Sequence, residues 1–271
     1  MTESGAVART RRLSERVRVV LAPNASPMTL EGTNTYVVGG EREVIVIDPG
    51  PDDPAHFDRV LAAAGPAEIV GVFLTHWHSD HSEGARSFAG RARAPIGSWS
   101  PMTSGEPLEI PLHDGERAGA GEIHLTAIHT PGHASDHMSF WLDDERALFT
   151  GDHILGRGTT VVAYPDGDMN AYMRSLRIVQ DRAAARLYPG HGPVVDDPAA
   201  VVAEYIEHRL MRERQVIAAL PGSVDEIVAR IYHGVDPILH PVAAMSVRAH
   251  LAKLSADGLA AEDGADRWRS A

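Results

Sequence analysis

The stretch LTHWHSDHSEG, residues 74–84, crowds four side chains able to bind a metal ion into six positions: His76, His78, Asp80 and His81. In a loop, His76 and His78 can turn both imidazoles onto one cation, while Asp80 and His81 project the other way and can serve a second. The crowding makes sense only if further ligands arrive from elsewhere, and three candidates exist. Thr130-Pro131-Gly132-His133, Thr150-Gly151-Asp152 and Gly190-His191-Gly192 each carry a His or Asp at a turn. The 271-residue chain has no cysteine, which excludes disulfides, iron–sulfur clusters, Cys nucleophiles and thiolate-held zinc. Any metal must be held by carboxylates and by some of the 15 histidines.

Short apolar runs have to position these residues. EVIVI runs into Asp48-Pro49-Gly50, IVGVFL into Thr75-His76, ALF into Thr150-Gly151-Asp152, and ARLY into Pro189-Gly190-His191. Runs of this length closed by Gly or Pro predict buried strands. Strands that empty ligands onto one sheet edge are how α/β folds build sites. Further strands are predicted over 34–40, 122–130 and 137–142, and helices over 54–64, about 82–89 and 168–181. After His191 the texture changes. Asp197-Pro198 opens a long amphipathic helix that Pro221-Gly222 stops, and Ser223 and Glu226 have capping-box spacing ahead of IVARIY. A last helix over about 241–256 leads into LAAEDGADRW, a helix–turn–helix shape that resembles a winged helix. Two domains follow: 1–198, carrying the ligands, and 199–271, a small helical appendage with eight Lys/Arg against ten Asp/Glu. That balance disfavours DNA reading by the tail and favours packing or homodimerisation.

The net charge of −12 argues against a general nucleic-acid binder, since phosphate affinity is largely neutralisation by Lys and Arg. No run approaches a membrane span, and no N-terminal apolar run has the length of an export signal, so a cytoplasmic location away from membranes is expected. Arg9, Arg11, Arg12, Arg16 and Arg18 are expected to form a solvated arm and edge strand rather than an RNA contact.

The string HxHxDH followed by His, Asp and His, each after a strand, resembles the metallo-β-lactamase superfamily over residues 34–192. The resemblance implies an α/β fold, the αββα sandwich, with the winged-helix-like domain appended. It implies that His76, His78 and His133 hold one metal, that Asp80, His81 and His191 hold a second, and that Asp152 bridges them. It implies a hydroxide between two divalent ions as nucleophile, with Asp80 and Asp152 as catalytic groups and Asp48 bracing the His loop. Zinc suits the ligands, with manganese or iron as alternatives, and some relatives hold a single iron.

Asp152 without any Cys looks like the glyoxalase II and ribonuclease branches. The segments GDHILGRGTTVVAYPDGDMNAYMRSL and EYIEHRLMRERQV, with the tail, are similar to the β-lactamase-like protein 2 subfamily. That implies a metal-dependent hydrolase with single-stranded RNA as one candidate substrate. A small acyl thioester and a non-catalytic metal-binding scaffold are the alternatives, and double-stranded DNA is not expected. No substrate-binding residue is assigned. Arg86, Arg91, Arg93 and Arg157 are candidates to meet an anionic substrate. Arg209 and Arg212 could do so too, although a solvated helix face with Glu204, Glu207 and Glu213 is the expected reading. His153 is a candidate donor to a leaving group, and His137 flanks the site. His56, His113, His124, His129, His208, His233, His240 and His250 are expected to be structural or surface residues.

Overall fold

The computed structural model describes residues 9–99, 109–264 and 266–271, so the first eight residues of the arginine-containing arm lie outside it. Among the described residues two sheets face each other. The first runs in the order β1 (Thr10–Arg12), β2 (Val17–Leu21), β3 (Asn34–Gly39), β4 (Glu43–Ile47), β5 (Glu68–Phe73), β6 (Ile96–Ser98) and β7 (Ile110–Pro111). Its first four strands pair antiparallel and the rest parallel. The second contains β8 (Arg117–Ala120), β9 (Ile123–His129), β10 (Met138–Leu142), β11 (Ala147–Gly151) and β12 (Arg186–Pro189), with only the β11–β12 pair parallel.

The apolar runs are continuous because both faces of each strand are covered. In β4, Ile45 and Ile47 point between the sheets towards Phe73, Leu125 and Phe140. Val44 and Val46 point outward, against helices α1 (Pro54–Ala64) and α3 (Ala85–Ala92) through Phe57, Val60 and Phe88. In β11, Phe149 points inward and Leu148 outward to α4 (Met169–Arg182) and α5 (Pro198–Ala218), where it meets Tyr172, Leu176 and Tyr205. The layers are helix, sheet, sheet, helix.

The helix expected over about 82–89 is instead α2 (Ser79–Ser82), a single turn, followed by α3. The break falls at Gly84, whose N–H donates to Gly50 O at 2.9 Å and where a Cβ would lie 2.8 Å from Pro51 O. The close approach of the two loops at this point pulls the chain off the helix axis.

Helix α5 joins the outer layer through Val202 and Tyr205, and its far end joins a separate cluster through Val216. That cluster is the core of a winged-helix unit: α6 (Val224–Ile231), α7 (His240–Ala256) and the sheet β13 (Gly222–Ser223), β15 (Arg267–Ser270), β14 (Ala260–Glu262). Both halves of the Ser223–Glu226 capping box are formed. Arg11 and Arg12 are exposed on the edge strand β1, and Arg16 pairs with Asp144 at 3.4 Å. Among the described residues no helix is long and apolar enough to cross a membrane.

His250, on α7, is 3% exposed, and neither ring nitrogen has a hydrogen-bond partner. Burial, with Arg209 and Lys253 nearby, pushes its pKa down to about 3 from 6.5. As pH falls from about 6.5 towards 3 the unfolded chain takes up a proton that the folded chain refuses, so stability is lost across that window. Between about pH 7.5 and pH 5 the loss from this one group is ~2 kcal/mol. His250→Leu is expected to shrink the difference between urea-unfolding free energies at those two pH values by that amount. An unchanged difference would show that His250 does not carry it.

Candidate metal centre

The site lies at the seam of the two sheets, at the ends of their strands. Asp48 follows β4, and the 75–81 loop follows β5. His133 lies in the turn after β9, Asp152 follows β11, and His191 follows β12. The seam is stitched from β3, where Asn34 Nδ2 donates to Pro189 O and Gly192 O at 3.0 and 2.9 Å and Tyr36 Oη donates to Pro189 O at 2.7 Å.

All seven residues converge into two groups, His76, His78 and His133 in one, and Asp80, His81, Asp152 and His191 in the other. In the first, His78 Nδ1 lies 2.8 Å from His76 Nε2 and 3.0 Å from His133 Nε2. In the second, His191 Nε2 lies 3.2 Å from His81 Nε2, 3.1 Å from Asp80 Oδ2 and 3.4 Å from Asp152 Oδ1. Asp152 also reaches the first group, its Oδ2 3.7 Å from His133 Nε2.

The outward side of each ring fixes which nitrogen faces in. His81 Nδ1 donates to Asp48 Oδ2 at 2.8 Å, His133 Nδ1 to Val161 O at 2.7 Å, and His191 Nδ1 to Gly32 O at 3.2 Å. Thr75 Oγ1 donates to Asp48 Oδ2 at 2.7 Å, which leaves it to accept from His76 Nδ1 at 3.0 Å. In their neutral form, the form a cation binds, these four rings therefore present lone pairs on their inward nitrogens. Asp48 is 1% exposed, sits at a φ of 51°, and accepts a further bond from Thr75 N at 2.8 Å. Gly132 lets the His133 turn press on α4, since a Cβ there would lie 2.3 Å from Tyr172 Cα.

A divalent cation fits this donor set. Three inward nitrogens meet around His78, too many for one proton to satisfy. Buried Asp152 Oδ1 has no hydrogen-bond partner. Tetrahedral ligands at zinc distances stand about 3.3 Å apart, and the separations of 2.8 to 3.7 Å bracket that. The electrostatics agree. Burial, with His133 and His81 beside it, pushes His78 down to about 4, keeping the imidazole neutral for binding. In the other group burial opposes charge on His191, but Asp152 and Asp80 outweigh it and raise it to about 9. The carboxylates there call for positive charge.

Two family models match the chain: "Metallo-beta-lactamase superfamily" over residues 28–191 and "Beta-lactamase associated winged helix domain" over residues 223–268. The chain belongs to the metallo-beta-lactamase superfamily. Among curated proteins of this superfamily it is 36% identical to the beta-lactamase-like protein 2 homolog of Caenorhabditis elegans, over 92% of this chain and 87% of that one. It is 39% identical to the atrochrysone carboxyl ACP thioesterase of Aspergillus chevalieri, over 83% and 76%. A beta-lactamase domain protein from Burkholderia ambifaria shares the fold with a TM-score of 0.83 at 18% identity, covering 99% of this chain and 96% of that one.

Two side chains depart from expectation. His153 is fully buried, its ring 4.7 Å from that of Tyr172 and neither nitrogen partnered, so it is not presented to a leaving group. Arg209 is not on a solvated face. It is 4% exposed, its guanidinium over the Tyr172 ring at 5.1 Å and Nη2 donating to Thr160 O. Three of the other arginines considered for an anionic substrate are also engaged: Arg91 with Asp58, Arg157 with Glu31 at 2.5 Å, and Arg212 over the Tyr232 ring at 4.6 Å. His137 is structural, Nδ1 against Thr130 Oγ1 at 2.9 Å and Nε2 accepting from Asp152 N at 3.2 Å. The eight discounted histidines fall outside both groups. The supporting residues Thr75, Gly32, Thr160 and Val161 were not anticipated, although a Thr opening each of three ligand turns (Thr75, Thr130, Thr150) was a usable signal.

Asp48→Asn turns an amide N–H towards His81 Nδ1, so His81 can accept there only by moving its proton to the inward nitrogen. Affinity of the Asp80–His81–Asp152–His191 group for a divalent ion is expected to fall about 10- to 100-fold. Elemental analysis after dialysis should then show one ion lost before the other. Full retention at wild-type affinity would contradict the brace.

Proposed function

We propose that this protein is a hydrolase that uses two divalent ions, zinc by preference, to cleave a small acyl thioester. The observation that carries the hydrolase reading is Asp152, whose two oxygens face one ligand group each. His76, His78 and His133 would hold one ion and Asp80, His81 and His191 the other, with Asp152 between them. When bound, such ions supply Lewis acidity and lower the pKa of water.

The chain's own groups then have distinct tasks. Burial opposes charge on Asp80, but His81 and the bond to His191 prevail and hold its pKa down to about 2, so it stays a carboxylate. Its side chain is 27% exposed, against 12% for Asp152 and none for His81 or His191. Asp80 is therefore the acceptor available to orient an attacking water.

The choice of substrate class rests on a groove of about 360 Å³ beside the site. Thr159, Thr160 and Val161 form one wall, and Val161 is the residue whose carbonyl holds His133. Met28, Val235, Leu239 and Val242 line it with apolar surface, and His208, Arg209, Arg212 and Tyr232 add polarity. Both arginines are engaged, however, Arg209 with Thr160 O and Arg212 with Gln215 and, at 4.6 Å, the very Tyr232 ring that could otherwise stack. Such a lining suits an acyl group better than a nucleotide chain, which would need unpaired cations and stacking rings. The arginines engaged elsewhere and the net charge of −12 weigh the same way. The thioesterase named among the relatives supports this class for the present chain.

Acid release from an acyl thioester is expected to vanish after chelation and return with zinc. In His76→Ala, kcat/KM should fall about a thousandfold, equivalent to ~4 kcal/mol of transition-state stabilisation. Metal-dependent cleavage of single-stranded RNA by the same preparation, with no thioester turnover, would overturn the acyl reading. In Leu239→Asp, KM for a thioester is expected to rise about tenfold with kcat less affected, because an apolar wall of the groove is lost.

A further inference from the structure

Arg209 poses a physical problem. A guanidinium 4% exposed, with no carboxylate pairing it among the described residues, is expensive to bury. Two acids of the same helix are committed elsewhere, Glu207 to Arg214 on α5 at 2.6 Å and Glu213 to Lys253 on α7 at 2.9 Å. What Arg209 does touch leads to the metal centre by two routes.

The first route is the 159–161 segment. Arg209 Nη2 donates to Thr160 O, and Thr160 Oγ1 donates to Asp152 O. The next carbonyl along, Val161 O, accepts from His133 Nδ1 at 2.7 Å. The second route is Tyr172, whose ring lies under the guanidinium at 5.1 Å. Tyr172 Oη donates to His153 O at 2.6 Å, one residue past Asp152, and its backbone closes on Gly132, one residue before His133. The first route ends on Asp152 and His133 and the second on their chain neighbours His153 and Gly132. Asp152 and His133 are the pair through which one ligand group meets the other at 3.7 Å.

We propose that Arg209 is a positioning residue: from helix α5, beyond the last ligand in the sequence, it clamps the Thr160 loop against Tyr172 and so sets where Asp152 and His133 stand. An arginine suits this place because its planar fork can bond a carbonyl while its face lies on a ring, which a lysine ammonium cannot do in one geometry. The role rests on the metal-binding reading of the cluster and not on the choice of substrate.

The experiment is zinc affinity of the full chain, by competition with a chromophoric chelator, together with the visible absorption of the cobalt(II)-substituted protein. Arg209→Met keeps the apolar stem and removes the fork. Thr160→Val keeps the branched shape and removes only the bond to Asp152 O. Each is expected to weaken binding of at least one ion about 10- to 100-fold and to shift the cobalt bands, with far-ultraviolet dichroism unchanged. Arg209→Lys should recover the fold but only part of the affinity. Should Arg209→Met fail to fold, Arg209→Lys tests the arginine itself and Thr160→Val the link from its loop to Asp152. Wild-type affinity and an unshifted cobalt spectrum in the variants that fold overturn the role of Arg209. A wild-type chain that binds no divalent ion overturns the metal centre itself.

Discussion

Negative charge and bare lone pairs are forced together at one point in this molecule, and everything around that point exists to keep them there. The ligand atoms of Asp80 and Asp152 lie within 4.8 Å of each other. At an effective dielectric of about 20, two carboxylates at that distance repel by ~3–4 kcal/mol. Added to this are inward nitrogens 2.8 to 3.2 Å apart. A fold of ordinary marginal stability does not retain such crowding without a use for it. Cations relieve both conflicts at once, which is why the cluster reads as a metal centre and not as a buried hydrogen-bond network.

Holding the crowd requires that no ring be free to turn. The outward sides of four of the five rings are accordingly fixed. Asp48 takes His81 and, through Thr75, His76. Backbone carbonyls of Val161 and Gly32 take His133 and His191. Asp48 holds a left-handed backbone conformation to do this, a modest strain that Asp tolerates better than most residues. Local geometry gives way where the site needs it, and the layered core around it supplies the compensation.

The residues of the two candidate groups were legible in the sequence because each is local in kind: a polar residue at a turn that ends an apolar run. The four layers were legible for the same reason, since continuous runs such as EVIVI declare strands covered on both faces. Where long-range approach decides, the sequence is silent. The break at Gly84 depends on a loop 34 residues earlier, Gly50, coming within hydrogen-bond reach. The pairing of Arg157 with Glu31, across 126 positions, removes a cation that looks available in the string. Arg209 is the sharpest case. Its neighbours Glu204, Glu207 and Glu213 suggest a wet face, yet the helix turns that one position towards Thr160 and Tyr172.

The division of ligands between the sheets has a further consequence. His76, His78, Asp80 and His81 hang from the first sheet and His133, Asp152 and His191 from the second. The gap between them is therefore a property of how the sheets pack, not of either loop. That packing is aromatic at its centre, with Tyr36 from the first sheet 5.0 Å from Phe149 and 5.6 Å from Tyr188 of the second. The Tyr36 hydroxyl then bonds the carbonyl of Pro189, two residues before His191. A shift of a few tenths of an ångström at this interior contact is transmitted to His191 through two residues of backbone, because close-packed cores do not absorb strain locally. Core and site are in this sense one object: the side chains that exclude water between the sheets also set the distance across which the carboxylates and imidazoles must share their charge.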